Sequence, residues 1–383
     1  MQLQLQLPEP SADALQASRA LLILIADEIR LQGGWISFAR YMELALYAPG
    51  LGYYSGGAAK LGKDGDFTTA PEITPLFGKT LANLAAKLMA QSAPRLMEFG
   101  AGTGRLAFDI LTELKARGVA LESYAIVELS GELRGRQQEL LRDFPEVRWL
   151  DRLPDAFSGV VIGNEVLDAM PVQLVVKTAE GWAERGLRLE GEGFAYEDRP
   201  CSADTVRQIP DAGQLQQGYL TEAHIQAQAF MHSLAAMLAA GDGGCAILLD
   251  YGFPAAEYYL AQRHMGTLMC HYRHHAHPDP LYLPGLQDIT AHVDFTAMAV
   301  AAVESGAELL GYMSQAGFLL AAGLGDILMR TAPEEQAHYL RQTNAVGRLT
   351  SPAEMGELFK VLVVGKGLSL PPEFARADRS HRL

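Results

Sequence analysis

The spacing of hydrophobic positions changes character partway along the chain. From Ala12 to Leu31 apolar residues recur every three or four positions, which predicts a helix closed by Gly33-Gly34. Ser37 to Tyr47 repeats the pattern and stops before Pro49-Gly50. No periodicity survives in residues 50–72, which read as a long loop, and helical spacing returns from Ile73 to Ala90. Short apolar runs then alternate with helical stretches. Arg95–Phe99, Tyr124–Glu128, Val147–Leu150 and Gly159–Gly163 read as strands, with helices at Arg105–Arg117 and Glu132–Arg142 between them. Such an alternation predicts an α/β fold with a parallel, doubly wound sheet and right-handed crossovers.

The alternation breaks after residue 172. Gln173–Lys177, Trp182–Leu189 and Phe194–Glu197 predict a small antiparallel β insertion. A helix from Glu222 to Ala240 leads into an apolar strand at Cys245–Leu249. Residues 252–292, rich in Pro, His and Tyr, read as irregular. A helix at Phe295–Ser305, a strand at Glu308–Tyr312, helices from Met313 to Phe359 and a strand at Lys360–Val364 complete the sheet. The expected organisation is an N-terminal helical extension with a covering loop (1–92), a core with insertions at about 172–220 and 252–292 (93–368), and a tail (369–383).

Composition narrows the function classes. The net charge of −14 argues against a nucleic-acid partner and favours a basic substrate. The three cysteines, Cys201, Cys245 and Cys270, are too few and too scattered for a disulfide framework. The apolar run Leu21–Ala26 is too short for membrane insertion. The first residues lack a basic n-region and an Arg-rich transit pattern, which predicts a cytoplasmic location.

The chemistry concentrates at strand ends. Glu98-Phe99-Gly100-Ala101-Gly102-Thr103-Gly104 places a glycine at every second position between a strand and a helix. Glycines there let a backbone approach a ligand without Cβ clashes. A dinucleotide fingerprint would read GxGxxG. The alternate spacing, with Glu98 facing an amino-acid ammonium, favours S-adenosylmethionine (SAM) over NAD(P) or a purely structural turn. Glu128, ending the next strand, is placed to accept bonds from ribose hydroxyls, and Asp151 to meet the adenine amino group. After the fourth strand, Asn164, Glu165 and Asp168 can accept hydrogen bonds from an amine or guanidinium, or simply cap a helix. The cluster Cys270, His271, His274, His275 and His277 raises a zinc reading, but no HExxH or paired-Cys spacing supports a metal.

Several segments together resemble the MidA-like methyltransferases, a family that includes the mitochondrial complex I assembly methyltransferase. They are Ile36-Ser37-Phe38 with Tyr41-Met42, Tyr47–Gly50 with Gly52–Tyr54, Gly65–Glu72, Glu98–Gly104, Gly163–Pro171, Asp250–Gly252 and Gly285–Phe295. The resemblance spans most of residues 36–365. It implies a class I SAM-methyltransferase core (a Rossmann-like doubly wound sheet) with an N-terminal helical extension and a β insertion. It implies arginine methylation on a partner protein, such as a respiratory complex subunit or assembly partner. The loop Gly65–Glu72 would lie across the cofactor, with Asp66, Thr69 and Glu72 offering polar contacts. Glu165 and Asp168, then Glu72 and Asp250, are candidates to orient a guanidinium, with Asp288 and His292 lining the cleft. The cofactor set is Asp66, Thr69, Glu98, Gly100, Ala101, Gly102, Thr103, Gly104, Glu128, Asp151 and Asn164, with SAM as cofactor. Two rival readings stay open: a SAM-binding assembly factor acting by docking, and a small-molecule methyltransferase. A homodimer is compatible with all three.

Overall fold

A computed structural model describes residues 7–56, 69–330 and 336–383. The chain forms two compact units, each assembled from separated stretches. One comprises Met1–Phe67, Leu167–Gln228 and Ala255–Ala297; the other comprises Thr68–Val166, Ala229–Pro254 and Met298–Leu383.

The second unit contributes seven strands to one sheet: β1 (Arg95–Phe99), β2 (Ser123–Val127), β3 (Val147–Leu150), β4 (Gly159–Asn164), β5 (Gly244–Phe253), β6 (Glu308–Ser314) and β7 (Phe359–Lys366). Their spatial order is β6-β7-β5-β4-β1-β2-β3. Pairs among β1 to β5 are parallel; β7 runs antiparallel to both β5 and β6. Strands such as β4 and β5 are apolar on both faces because helices cover both, as a parallel sheet requires. The core joins Leu96, Ile126, Val160, Ile162, Ile247 and Val363 to helix residues Phe77, Leu81, Ile110 and Phe318. The chain moves outward from β1 through β2 to β3, then returns to β4 on the other side of β1. That reversal is a topological switch point, where open α/β sheets place their ligands beyond the carboxyl ends of the strands.

The predicted helix over Ile73–Ala90 is Pro75–Met89, and a separate short helix, Ala70–Ile73, ends the stretch that reads as a loop. Thr74, which precedes proline, is held extended at φ −161°, and its hydroxyl caps the second helix by accepting from the Leu76 N–H.

In the first unit, helix Ala12–Leu31 and helix Phe38–Tyr47 share a core with the antiparallel strands. Ser11 and Ser37 cap the two helices. The antiparallel sheet has five strands. Gln173–Lys177, Trp182–Glu190 and Gly193–Pro200 match the predicted insertion, and Ile36–Ser37 and Leu220–Ala223 join them. The predicted helix start at Glu222 is therefore strand; the helix is Ile225–Ala239. Residues 252–292 are not wholly irregular. Met269–Tyr272, His275–His277 and Asp288–Thr290 form a three-stranded sheet. Its hairpin turns on Arg273 and His274 at φ +47° and +65°, the primed-turn geometry that matches strand twist. No helix among the described residues is long and apolar enough to cross a membrane.

Candidate cofactor and active site

The glycine turn follows β1 directly. Gly100, Gly102 and Gly104 have φ of +60°, +54° and +84°, so every second residue adopts the left-handed conformation. The Gly100 N–H donates to the Val127 carbonyl at 3.0 Å, tying the turn to the end of β2. A Cβ on Gly104 would stand 3.4 Å from the Gln137 side chain, so bulk there presses on the neighbouring helix. Ala101 is buried in the core. The Thr103 hydroxyl donates to Glu72 at 2.5 Å and accepts from the Arg105 N–H, coupling helix Ala70–Ile73 to the turn. Thr69 occupies the N-cap position of that short helix without a side-chain capping bond. Asp66 lies outside the described residues.

Two carboxylates stand at the ends of β1 and β2. Glu98 is 2% exposed and accepts the Tyr124 hydroxyl proton at 2.5 Å. Burial pushes its carboxyl up to about 7, against the pull of the Tyr124 bond and with a push from the charge of Glu128. Burial also raises Glu128, while the Ser130 N–H and the Gln137 amide, each at 2.9 Å, draw it down. Asp151, by contrast, is exposed and pairs with Arg134 at 2.6 Å.

The end of β4 is unusual. Glu165 sits at φ +55°, a left-handed conformation that costs a residue with a Cβ energy and gathers at functional sites. Its N–H is fixed by the Leu249 carbonyl at 2.8 Å. The Asn164 amide donates to Glu165 Oε1 at 2.9 Å, and Asn164 Oδ1 is buried with no partner. A buried acceptor left unmatched has room for a donor from a bound water or a ligand. Asp250, on neighbouring β5, is 1% exposed and accepts from the Tyr251 N–H. Turn, acids and orphaned acceptor thus fit a small polar ligand with both an amino-acid end and ribose hydroxyls.

Other predicted residues fall in the first unit. Asp168 is buried, and its carbonyl accepts from the Ala291 N–H. Asp288 is buried and accepts the Tyr54 hydroxyl at 2.9 Å, while the Tyr54 ring stacks on Tyr47. The His292 N–H donates to Thr267. No group of three or more metal-binding side chains gathers among the described residues, and His275 is exposed.

Sequence reasoning missed Tyr124 and Gln137. Tyr124 looks like one more apolar strand residue. Gln137 sits on a polar helix where nothing in the spacing sets it apart.

A family model described as "Putative S-adenosyl-L-methionine-dependent methyltransferase" matches residues 76–313. The mitochondrial protein arginine methyltransferase NDUFAF7 of Danio rerio is 30% identical, over 92% of this chain and 89% of its own length. Its mitochondrial homolog in Caenorhabditis elegans is 28% identical, over 85% and 81%. A "likely methyl transferase" from Burkholderia thailandensis, solved bound to S-adenosyl-homocysteine, is 53% identical. It covers 99% of this chain and 100% of its own, with a TM-score of 0.92. The expected cytoplasmic location is corrected by the curated relatives, which are mitochondrial proteins. The protein is a methyltransferase with SAM as its cofactor. With the model match, the relatives and the glycine turn in agreement, the chain belongs to the MidA-like family of SAM-dependent methyltransferases.

Proposed function

We propose that the crevice beyond the carboxyl ends of β1, β2 and β4 holds SAM, in the manner of a class I methyltransferase, and that the methyl acceptor is an arginine side chain on a partner protein. The observation that carries the cofactor placement is the left-handed glycine turn beside Glu128 at the switch point. Two relatives named as protein arginine methyltransferases support the acceptor, as does the net charge of −14.

In this reading the backbone of Gly100–Gly104, including Ala101 and Thr103, lies against the cofactor. Glu128 accepts the ribose hydroxyls, Glu98 faces the ammonium end, and Asn164 Oδ1 takes a donor. Thr69 lies one residue ahead of helix Ala70–Ile73, and Asp66 enters on its motif alone. Asp151 must exchange its contact with Arg134 to reach the adenine. Bound there, SAM supplies a methyl group on a positive sulfur, which leaves with the C–S electron pair as the C–N bond forms.

The protein's task is orientation. An arginine side chain arrives charged, its pKa being above about 12. Glu165 and Glu72 would accept its N–H bonds and hold the guanidinium plane. The proton is lost once the new bond has formed, so no strong base is needed. The partner would be a respiratory complex subunit or assembly partner.

The test is incubation of the protein with methyl-labelled SAM and cell extract, then hydrolysis of the labelled protein. Label recovered as methylarginine is expected. Label on another residue, or on no protein, overturns the acceptor.

A further inference from the structure

Helix Gly131–Leu140 buries a single residue, and that residue is polar: Gln137, fully inaccessible to solvent. A surface helix normally buries an apolar stripe. This one instead inserts an amide that makes three hydrogen bonds, all at 2.9 Å. Nε2 donates to the Gly102 carbonyl and to Glu128 Oε2, and Oε1 accepts from the Trp149 indole N–H. An indole nitrogen can only donate, so it must face Oε1, which fixes the orientation of the amide. Both protons of Nε2 therefore point at the glycine turn and the acid.

We infer that Gln137 is a positioning residue of the cofactor crevice. It clamps the segments that follow β1 and β2, and Trp149 on β3 anchors the clamp. One amide bridges the Gly102 carbonyl and the Glu128 carboxylate, which itself also accepts from the Gly102 N–H. The inference rests on the reading that Glu128 holds the cofactor. Gln137 itself stands behind Glu128 and acts through it.

The measurement is calorimetric titration of S-adenosyl-homocysteine into the full chain at pH 6 and pH 8. Wild type is compared with Gln137→Met, Gln137→Glu and Glu128→Gln. Gln137→Met removes all three bonds at similar length and is expected to raise Kd about tenfold to a hundredfold, the range for losing bonds to a charged group. Gln137→Glu sets a second carboxylate against Glu128 at pH 8. Its Kd ratio to wild type should shrink severalfold at pH 6, where the pair shares a proton. A merely structural role would leave that ratio the same at both pH values, and such a result overturns the inference. If Gln137→Met does not fold, the pH ratio of Gln137→Glu decides alone. Weaker binding in Glu128→Gln with near wild-type binding in both Gln137 variants overturns the inference and spares the cofactor reading. Wild-type binding in Glu128→Gln overturns both.

Discussion

Each unit buries a glutamate, and the two surroundings differ sharply. In the first unit, Glu222 is fully buried. It accepts the Tyr258 hydroxyl at 2.6 Å, the Thr267 N–H at 2.7 Å, the Thr267 hydroxyl at 3.0 Å and the Leu268 N–H at 3.2 Å. In the second unit, Glu98 is buried nearly as deeply, yet among the described residues its hydrogen bond is the one from Tyr124. A carboxylate ringed by donors pins chain segments together. A carboxylate with one donor stays hungry for a proton or a cation. Burial therefore does not mark a site; burial without enough donors does.

The largest effect is expected at Glu222. Glu222→Ala leaves the donors from Thr267, Leu268 and Tyr258 unmatched, and should cost about 4 kcal/mol in urea unfolding. A loss below about 1 kcal/mol would mean the ring of donors is not holding the segment.

At Glu98 the expected effect depends on pH. Its carboxyl is raised from 4.5 to about 7, so the folded state binds that proton more tightly than the unfolded chain. The resulting stability is fully present below pH 4.5 and is lost as the pH rises through 7. Glu98→Gln cannot titrate. The variant should gain about 3 kcal/mol on wild type between pH 4.5 and pH 8 in the absence of cofactor. Parallel pH profiles for the two proteins would contradict the account.

Smaller effects test the strand ends. Glu165→Gly relieves the left-handed backbone and should shift stability by less than about 1 kcal/mol. Labelled methyl transfer should nonetheless fall about tenfold or more, because the orienting carboxylate is gone. A large loss of stability with intact transfer would recast Glu165 as structural. The least effect is expected from Thr103→Val, which deletes the bond to Glu72 and the one from the Arg105 N–H and should cost about 1 kcal/mol in unfolding experiments.

Strong periodicity made the second unit's elements readable. Arg95–Phe99 and Val147–Leu150 are strands at the residues predicted; the first is buried along nearly its whole length, while the second is an edge strand that exposes Arg148. The first unit was harder to read. Its strands at 269–290 are three or four residues long, and their hairpin turns on Arg273-His274 rather than on a glycine signal. Ile36–Ser37 is too short to carry any period. At the site, the alternate glycines and Glu128 stand out as letters. Gln137 does not: its importance lies in the direction of one amide, which spacing does not encode. Asp151 shows the reverse, a legible acid that the fold leaves exposed beside Arg134.

The decisive measurement is a crystal structure of this chain with S-adenosyl-homocysteine. The account predicts the ligand over Gly100–Gly104, with its ribose hydroxyls on Glu128 and a donor meeting Asn164 Oδ1. A ligand seated away from the ends of β1 and β2, leaving Glu128 with the protein bonds it has now, would contradict it.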